Sequence, residues 1–150
     1  MAETAIVTPA AWAESTLAEI ITSTTQTDFD NAFTAFVSPD VQITLNGQSQ
    51  TLTEYKEIFQ NEKVGEQSAQ VAYAGTVELI SDLKNPGVSG GLVGFFGNGT
   101  IYNEVSGVKS THTIATSLQL VITSDGNDPT SRKVVSMNEV VVIQSNPSSA

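Results

Sequence analysis

Apolar residues in the first sixty positions recur at helical spacing, whereas those after residue 63 alternate. Trp12, Ala13, Leu17, Ile20 and Ile21 form one stripe, with Glu14 and Glu19 off it. Thr8 followed by Pro9 predicts where this helix starts, since a hydroxyl caps it and proline fits its first position. A polar break, 23–27, follows. Thr27 or Asp28 is expected to cap a second, short helix that carries Phe29, Ala32, Phe33 and Phe36 and closes at Pro39. Val41, Ile43 and Leu45 alternate with Gln42 and Thr44 as a short strand, and Asn46-Gly47 predicts a tight turn. The run T-L-T-E at 51–54 has the form of a capping box. It opens a third helix with Tyr55, Ile58 and Phe59 on one side.

From Gln67 to Ile80, the odd positions Ala69, Val71, Tyr73, Val77 and Leu79 are apolar and predict a strand with one buried face. K-N-P-G-V-S-G-G reads as a flexible connection. Residues 92–102 are apolar on both faces and interrupted by glycines, which read as bends and bulges. Two long strands, 110–123 and 132–144, finish the pattern around a polar turn, S-D-G-N-D-P-T-S. Helices segregated from an antiparallel sheet make the expected class α+β. Three N-terminal helices would pack in the concave face of a curved, mostly antiparallel sheet, giving a cone with an open mouth. The expected organisation is one domain over 1–150, ordered from about 9 to 144, with a flexible arm at 1–7 and a tail at 145–150.

Charge narrows the partners. Sixteen acidic residues against six basic ones give −10, which disfavours nucleic acid and anionic membrane. No stretch approaches the ~20 apolar residues of a membrane span, and no signal peptide is visible. A cytoplasmic location is the expectation. The chain has no cysteine, one histidine and one arginine. No disulfide, thiolate nucleophile or Cys-containing metal site is therefore available, and neither a metal nor a cofactor is expected. The glycine-rich run at 90–99 lacks the lysine and following helix of a phosphate-binding loop. Asn98-Gly99-Thr100 matches a glycosylation acceptor but reads as a turn.

Two residues offer chemistry. His112 lies on the even, drier face of its strand, with Ile114, Thr116, Leu118, Leu120 and Ile122, and is expected to point inward. A histidine there suits general acid–base work near neutral pH. The alternative is a structural histidine satisfied by a carbonyl or a hydroxyl. Glu139 shares a face with Val135, Met137, Val141 and Ile143, but the opposite face is apolar too, so the pattern leaves its sidedness open. An interior carboxylate needs a partner or a proton, and His112 is the expected partner. Trp12, Tyr55 and Tyr73 are on apolar faces, either as core or as pocket wall.

The element order resembles the NTF2-like superfamily, which includes SnoaL-like cyclases, ketosteroid isomerases, scytalone dehydratase and limonene epoxide hydrolase. T-D-F-D-N-A-F-T-A-F-V-S-P-D-V-Q-I-T-L is similar to that superfamily's second helix and first strand, T-L-T-E-Y-K-E-I-F to its third helix, and R-K-V-V-S-M-N-E-V-V-V to its last strand. The resemblance covers about 9–144. It implies that Met137 and Glu139 line the cavity, with Leu118 near the position of a buried acid. It also shows what is missing: the isomerase base would fall near Leu45 and the oxyanion tyrosine near Ile20, and neither residue can move a proton.

The expected function is a small-molecule pocket protein of SnoaL-like type, possible chemistry being cofactor-free isomerisation, cyclisation or dehydration of a hydrophobic carbonyl-containing or polyketide- or terpenoid-like compound. His112 and Glu139 would be catalytic, and Trp12, Tyr55, Tyr73, Met137 and Leu118 would contact the ligand. The alternative is a non-catalytic ligand-binding or dimerisation module. Strands 92–102 and 134–143, apolar on both faces, suggest a homodimer through the sheet.

Overall fold

The computed structural model describes residues 6–62 and 66–147. Most of the predicted arm and the last three residues of the predicted tail lie outside the described residues. Helix α1, Pro9–Thr22, starts where the Thr-Pro pair predicts, and the Ala11 amide donates to Thr8 Oγ1 at 3.4 Å. A carboxylate completes this end: the Ala10 amide donates to Glu78 Oε2 at 2.9 Å, negative charge against the positive pole of the helix.

Helix α2, Gln26–Phe36, starts earlier than predicted. Thr25 is the cap, accepting from the Asp28 amide at 3.1 Å, so Asp28 falls in the first turn, where the dipole favours an acid. Pro39 does not close this helix. The chain turns extended at Val37, and β1, Val37–Leu45, contains the proline. Proline is tolerated there because the pairing with the neighbouring strand breaks between Val37 and Gln42. After the Asn46-Gly47 turn and the short β2, Gln48–Gln50, comes α3, Leu52–Glu62. Its capping box closes both ways: the Glu54 amide donates to Thr51 Oγ1 at 3.1 Å and the Thr51 amide to Glu54 Oε1 at 3.3 Å.

Four long strands follow: β3, Glu66–Ile80; β4, Gly91–Val105; β5, Val108–Thr123; and β6, Lys133–Pro147, which runs three residues past its predicted end. The sheet order is β2-β1-β6-β5-β4-β3. Only β1 against β6 is parallel. The architecture is the expected α+β cone, with three helices against a curved sheet. Phe29, Phe33 and Phe36 of α2 and Ala13, Leu17 and Ile20 of α1 are buried with Phe95, Leu118, Leu120 and Met137 of the sheet.

Three readings of the strands change. In β6 the register with β5 shifts between Val121 and Ile122, so Val134, and not Val135, shares the inner face with Met137 and Glu139. The register of β3 with β4 shifts between Tyr73 and Gly75. One extra residue reverses the facing of everything after it. Ala69, Val71 and Tyr73 therefore share the inner face with Thr76 and Glu78, while Val77 and Leu79 are 73% and 65% exposed on the outer face. On its β5 side β4 carries no bulge: that register is continuous from Gly91 to Val105, Asn98-Gly99-Thr100 lies in mid-strand, and the one β4 glycine beside a bulge is Gly97, opposite the extra residue of β3. Gly91 is required by crowding, since a Cβ there would come within 2.3 Å of the Leu79 carbonyl oxygen.

The connection from Ser81 to Gly90 is tied down. Arg132, 1% exposed, donates to the carbonyls of Ser89 (2.8 Å), Pro86 (2.9 Å) and Val7 (2.7 Å). Burial lowers the pKa of this guanidinium, and Glu78 partly offsets that. Asp125 orders the last turn. Its carboxylate accepts from the Asn127 and Asp128 amides and the Ser131 hydroxyl, which holds its pKa below the ordinary 3.8.

Candidate functional site

Inside the cone, β5 and β6 place residues of equal facing opposite each other. Leu118 faces Glu139, and Thr116 faces Val141. The Glu139 side chain thus points at the helices and is 4% exposed. Two hydroxyls reach it: Tyr55 of α3 donates to Oε1 at 2.8 Å, and Thr116 of β5 donates to Oε2 at 2.6 Å. The backbone beneath it is clamped by β1. The Asn46 amide donates to the Glu139 carbonyl at 2.8 Å, and the Asn46 side chain exchanges bonds with the Val141 amide and carbonyl at 2.9 and 3.2 Å.

Burial raises the Glu139 pKa above the ordinary 4.5, and the bonds from Thr116 and Tyr55 pull it partly back. The Tyr55 phenol is pushed well above 10, first by burial and then by the Glu139 charge. Tyr73, which donates to the Glu14 carbonyl at 2.7 Å, is raised to about 12, chiefly by burial and secondly by Glu14. Both phenols therefore remain donors at neutral pH. The Glu139 carboxyl is the acid of the three, and its pKa moves upward.

Two apolar cavities meet at this carboxyl. One, about 20 Å³, lies beneath α3 beside Leu45, Tyr55, Ile58 and Ile143. The other, about 30 Å³, lies towards α1 and the middle of β4, beside Leu17, Tyr73, Phe95, Gly97, Gly99 and Thr116. Phe59, Ile114 and Glu139 line both. Each is large enough for about one water. Aromatic edges close the helical side: Phe33 with Tyr55 and Phe59, and Tyr55 with Phe59 at 5.1 Å between centroids.

The structure does not form the expected His112–Glu139 pair. His112 shares the inner face but is opposite Ser145, six positions from Leu118, or about 20 Å along the strand. Its Nδ1 is 2.8 Å from Ser145 Oγ, a hydroxyl partner. Of the residues expected to contact a ligand, Tyr55 and Tyr73 line a cavity. Leu118 and Met137 are buried in the core, and Trp12 packs on Phe36 at 5.7 Å between centroids; none of the three lines either cavity. Thr116, Phe59, Ile114 and the two β4 glycines were not singled out. Thr116 carried a usable signal: it is a polar residue on the dry face of β5, as His112 is.

No family model matches the chain, and no curated protein does. Solved structures do. A proposed aromatic ring hydroxylase of Novosphingobium aromaticivorans superposes with a TM-score of 0.62 at 10% identity, over 93% of this chain and 91% of its own. The Candida albicans Mtr2 chain, in its complex with the Mex67 M domain, gives 0.55 at 13% identity, over 91% and 97%. An NTF2-like protein of unknown function from Exiguobacterium gives 0.51 at 17% identity, over 92% and 99%. The chain has the NTF2-like fold. At these identities the likeness concerns the fold alone. A proposed enzyme and a subunit of a protein complex share this NTF2-like frame, so chemistry has to be argued from the side chains inside this cone. Among the described residues, no helix is long and apolar enough to cross a membrane, and no group of three or more His, Asp or Glu could hold a metal ion.

Proposed function

We propose that this chain is a small-molecule pocket protein in which Glu139 anchors the polar group of an otherwise hydrophobic ligand. The observation that supports this reading is the carboxyl itself. It is buried, has a raised pKa, and is the polar group at the meeting point of two apolar cavities. Protonated, it donates to a carbonyl; ionised, it accepts from a hydroxyl. The ligand class is therefore a compact apolar molecule with one carbonyl or hydroxyl. A ring is larger than either cavity, so its entry requires Phe59, in the last turn of α3 and lining both, to move aside. The chemistry such a group supplies without a cofactor is proton transfer at a carbon next to a carbonyl, as in isomerisation, cyclisation or dehydration. In that chemistry Glu139 takes the place expected of His112, while Tyr55 and Thr116 hold the carboxyl in position.

A titration with phenol tests this reading. Saturable shifts are expected in the amide resonances of Thr116, Ile114 and Glu139, with none at His112. Shifts confined to the outer face of the sheet would contradict it.

A second reading, a non-catalytic interaction module, has support of its own in the narrowness of the cavities and in the outer face. Outward positions from Leu92 to Tyr102 on β4, Thr111 to Val121 on β5 and Ser136 to Gln144 on β6 carry no charge, in a chain of net charge −10. Phe96, Val140 and Val142 are prominent there and exposed. The occupant proposed for this face is a second copy, because a charge-free surface lets two acidic chains approach without repulsion. Mtr2, of the same fold, is found with a protein partner.

A further inference from the structure

Among the β4 glycines, two need glycine neither for a left-handed backbone nor to avoid a clash. Gly97 and Gly99 point into the cone, where β4 pairs in unbroken register with β5; the bulge opposite Gly97 is carried by β3 and leaves room for a Cβ on Gly97. Neither has a positive φ, unlike Gly47, Gly107 and Gly126 in their turns. Neither is crowded by backbone, unlike Gly91. A Cβ on Gly97 would lie 3.5 Å from the Ala72 carbonyl oxygen, 3.5 Å from Tyr73 Cδ1 and 3.7 Å from Thr116 Cγ2. On Gly99 it would lie 3.7 Å from the Gln70 carbonyl oxygen and 3.8 Å from Ile114 Cβ. These are ordinary contact distances, so alanine fits at both positions.

Glycine in the middle of a strand costs conformational entropy and leaves nothing to pack. A strand residue with a side chain would serve the fold better at both sites. What glycine provides here is space. Both line the cavity that also contains Thr116 and Glu139, and they leave bare peptide backbone as its floor.

We propose that Gly97 and Gly99 are specificity-determining residues that set the depth of the ligand cavity. A ligand hydrogen-bonded at Glu139 rests its apolar body on this stretch of β4 backbone, and the missing side chains define how large that body is. The inference rests on the pocket reading above.

The test uses the whole chain and two probes, phenol and benzene. Affinities are read from amide resonances and stability from thermal melting. Gly97→Ala, Gly99→Ala and the double variant add methyl groups to the floor. Gly94→Ala, on the same strand but facing outward, is the control, its Cβ being 3.4 Å from Val77 Cγ2 and 4.0 Å from the Leu118 carbonyl oxygen. The double variant is expected to bind both probes at least tenfold more weakly than the wild type while melting at the same temperature or higher. Gly94→Ala is expected to bind as the wild type does. A double variant that melts normally and binds phenol as the wild type does overturns the role of the glycines and leaves the pocket reading standing. A wild type that binds neither probe overturns both. A double variant that melts lower overturns the inference as well, because the glycines would then serve the fold.

Discussion

Glu139 holds its proton more firmly in the folded chain than an ordinary glutamate, because burial disfavours its charged form more than two hydroxyl donors favour it. The folded pKa lies above the unfolded value of 4.5. Its contribution to stability is therefore complete below pH 4.5 and is lost as pH rises through the folded pKa. Glu139→Gln removes that dependence. The stability of the wild type relative to Glu139→Gln should fall as pH rises from 4.5 and level off once Glu139 is ionised, as urea denaturation at a series of pH values would measure. A difference that stays flat would mean that Glu139 titrates normally. Tyr55→Phe removes a donor to the charged form. It should cost about 1–2 kcal/mol at neutral pH and move the Glu139 titration higher still. His112→Ala should change neither, since its partner is Ser145 and not Glu139. The resemblance places Glu139 inside the cone, where the structure also has it, but the expected partner is His112 and the observed ones are Tyr55 and Thr116. Pairing depends on register, and alternation along β5 gives the facing of His112 without fixing how far β6 has slid past it.

At the scale of elements, the periodic signals were the legible ones. The Thr-Pro start of α1 and the capping box of α3 are local chemistry, satisfied within four residues, and both form as read. Facing in β3 was lost because a single bulged residue has no composition of its own: Ala74 looks like any other strand alanine. Gly97 and Gly99 are hard to read for a related reason. A glycine that bends a strand and a glycine that leaves space look identical until their neighbours are in place. Arg132 also escaped notice as a structural residue, since its three acceptors are backbone carbonyls from distant segments. Arg132→Met should cost about 3 kcal/mol, because it removes the donor to the buried Ser89 carbonyl and to the part-buried carbonyls of Pro86 and Val7. Arg132→Lys should not restore the loss, as an ammonium cannot span all three. Chemical denaturation of the two variants checks this.

For the whole molecule, the cone has an outside and an inside, and each makes a claim. Outside, a charge-free stretch of sheet with Phe96, Val140 and Val142 exposed predicts self-association. Phe96→Glu combined with Val140→Glu should lower the mass seen in sedimentation equilibrium from dimer to monomer and leave the fold intact by circular dichroism. A wild type that sediments as a monomer would contradict the proposed partner. Inside, helices α1 and α3 and strands β1, β4, β5 and β6 converge on one carboxyl, and the central claim is that this carboxyl recognises the polar group of a hydrophobic ligand. The ratio of phenol to benzene affinity, in the wild type and in Glu139→Leu, tests that claim most directly. The account predicts a wild-type preference for phenol of about tenfold, the worth of one hydrogen bond, and equal binding of the two in Glu139→Leu. Equal affinities in the wild type, or a preference that survives in Glu139→Leu, would contradict it.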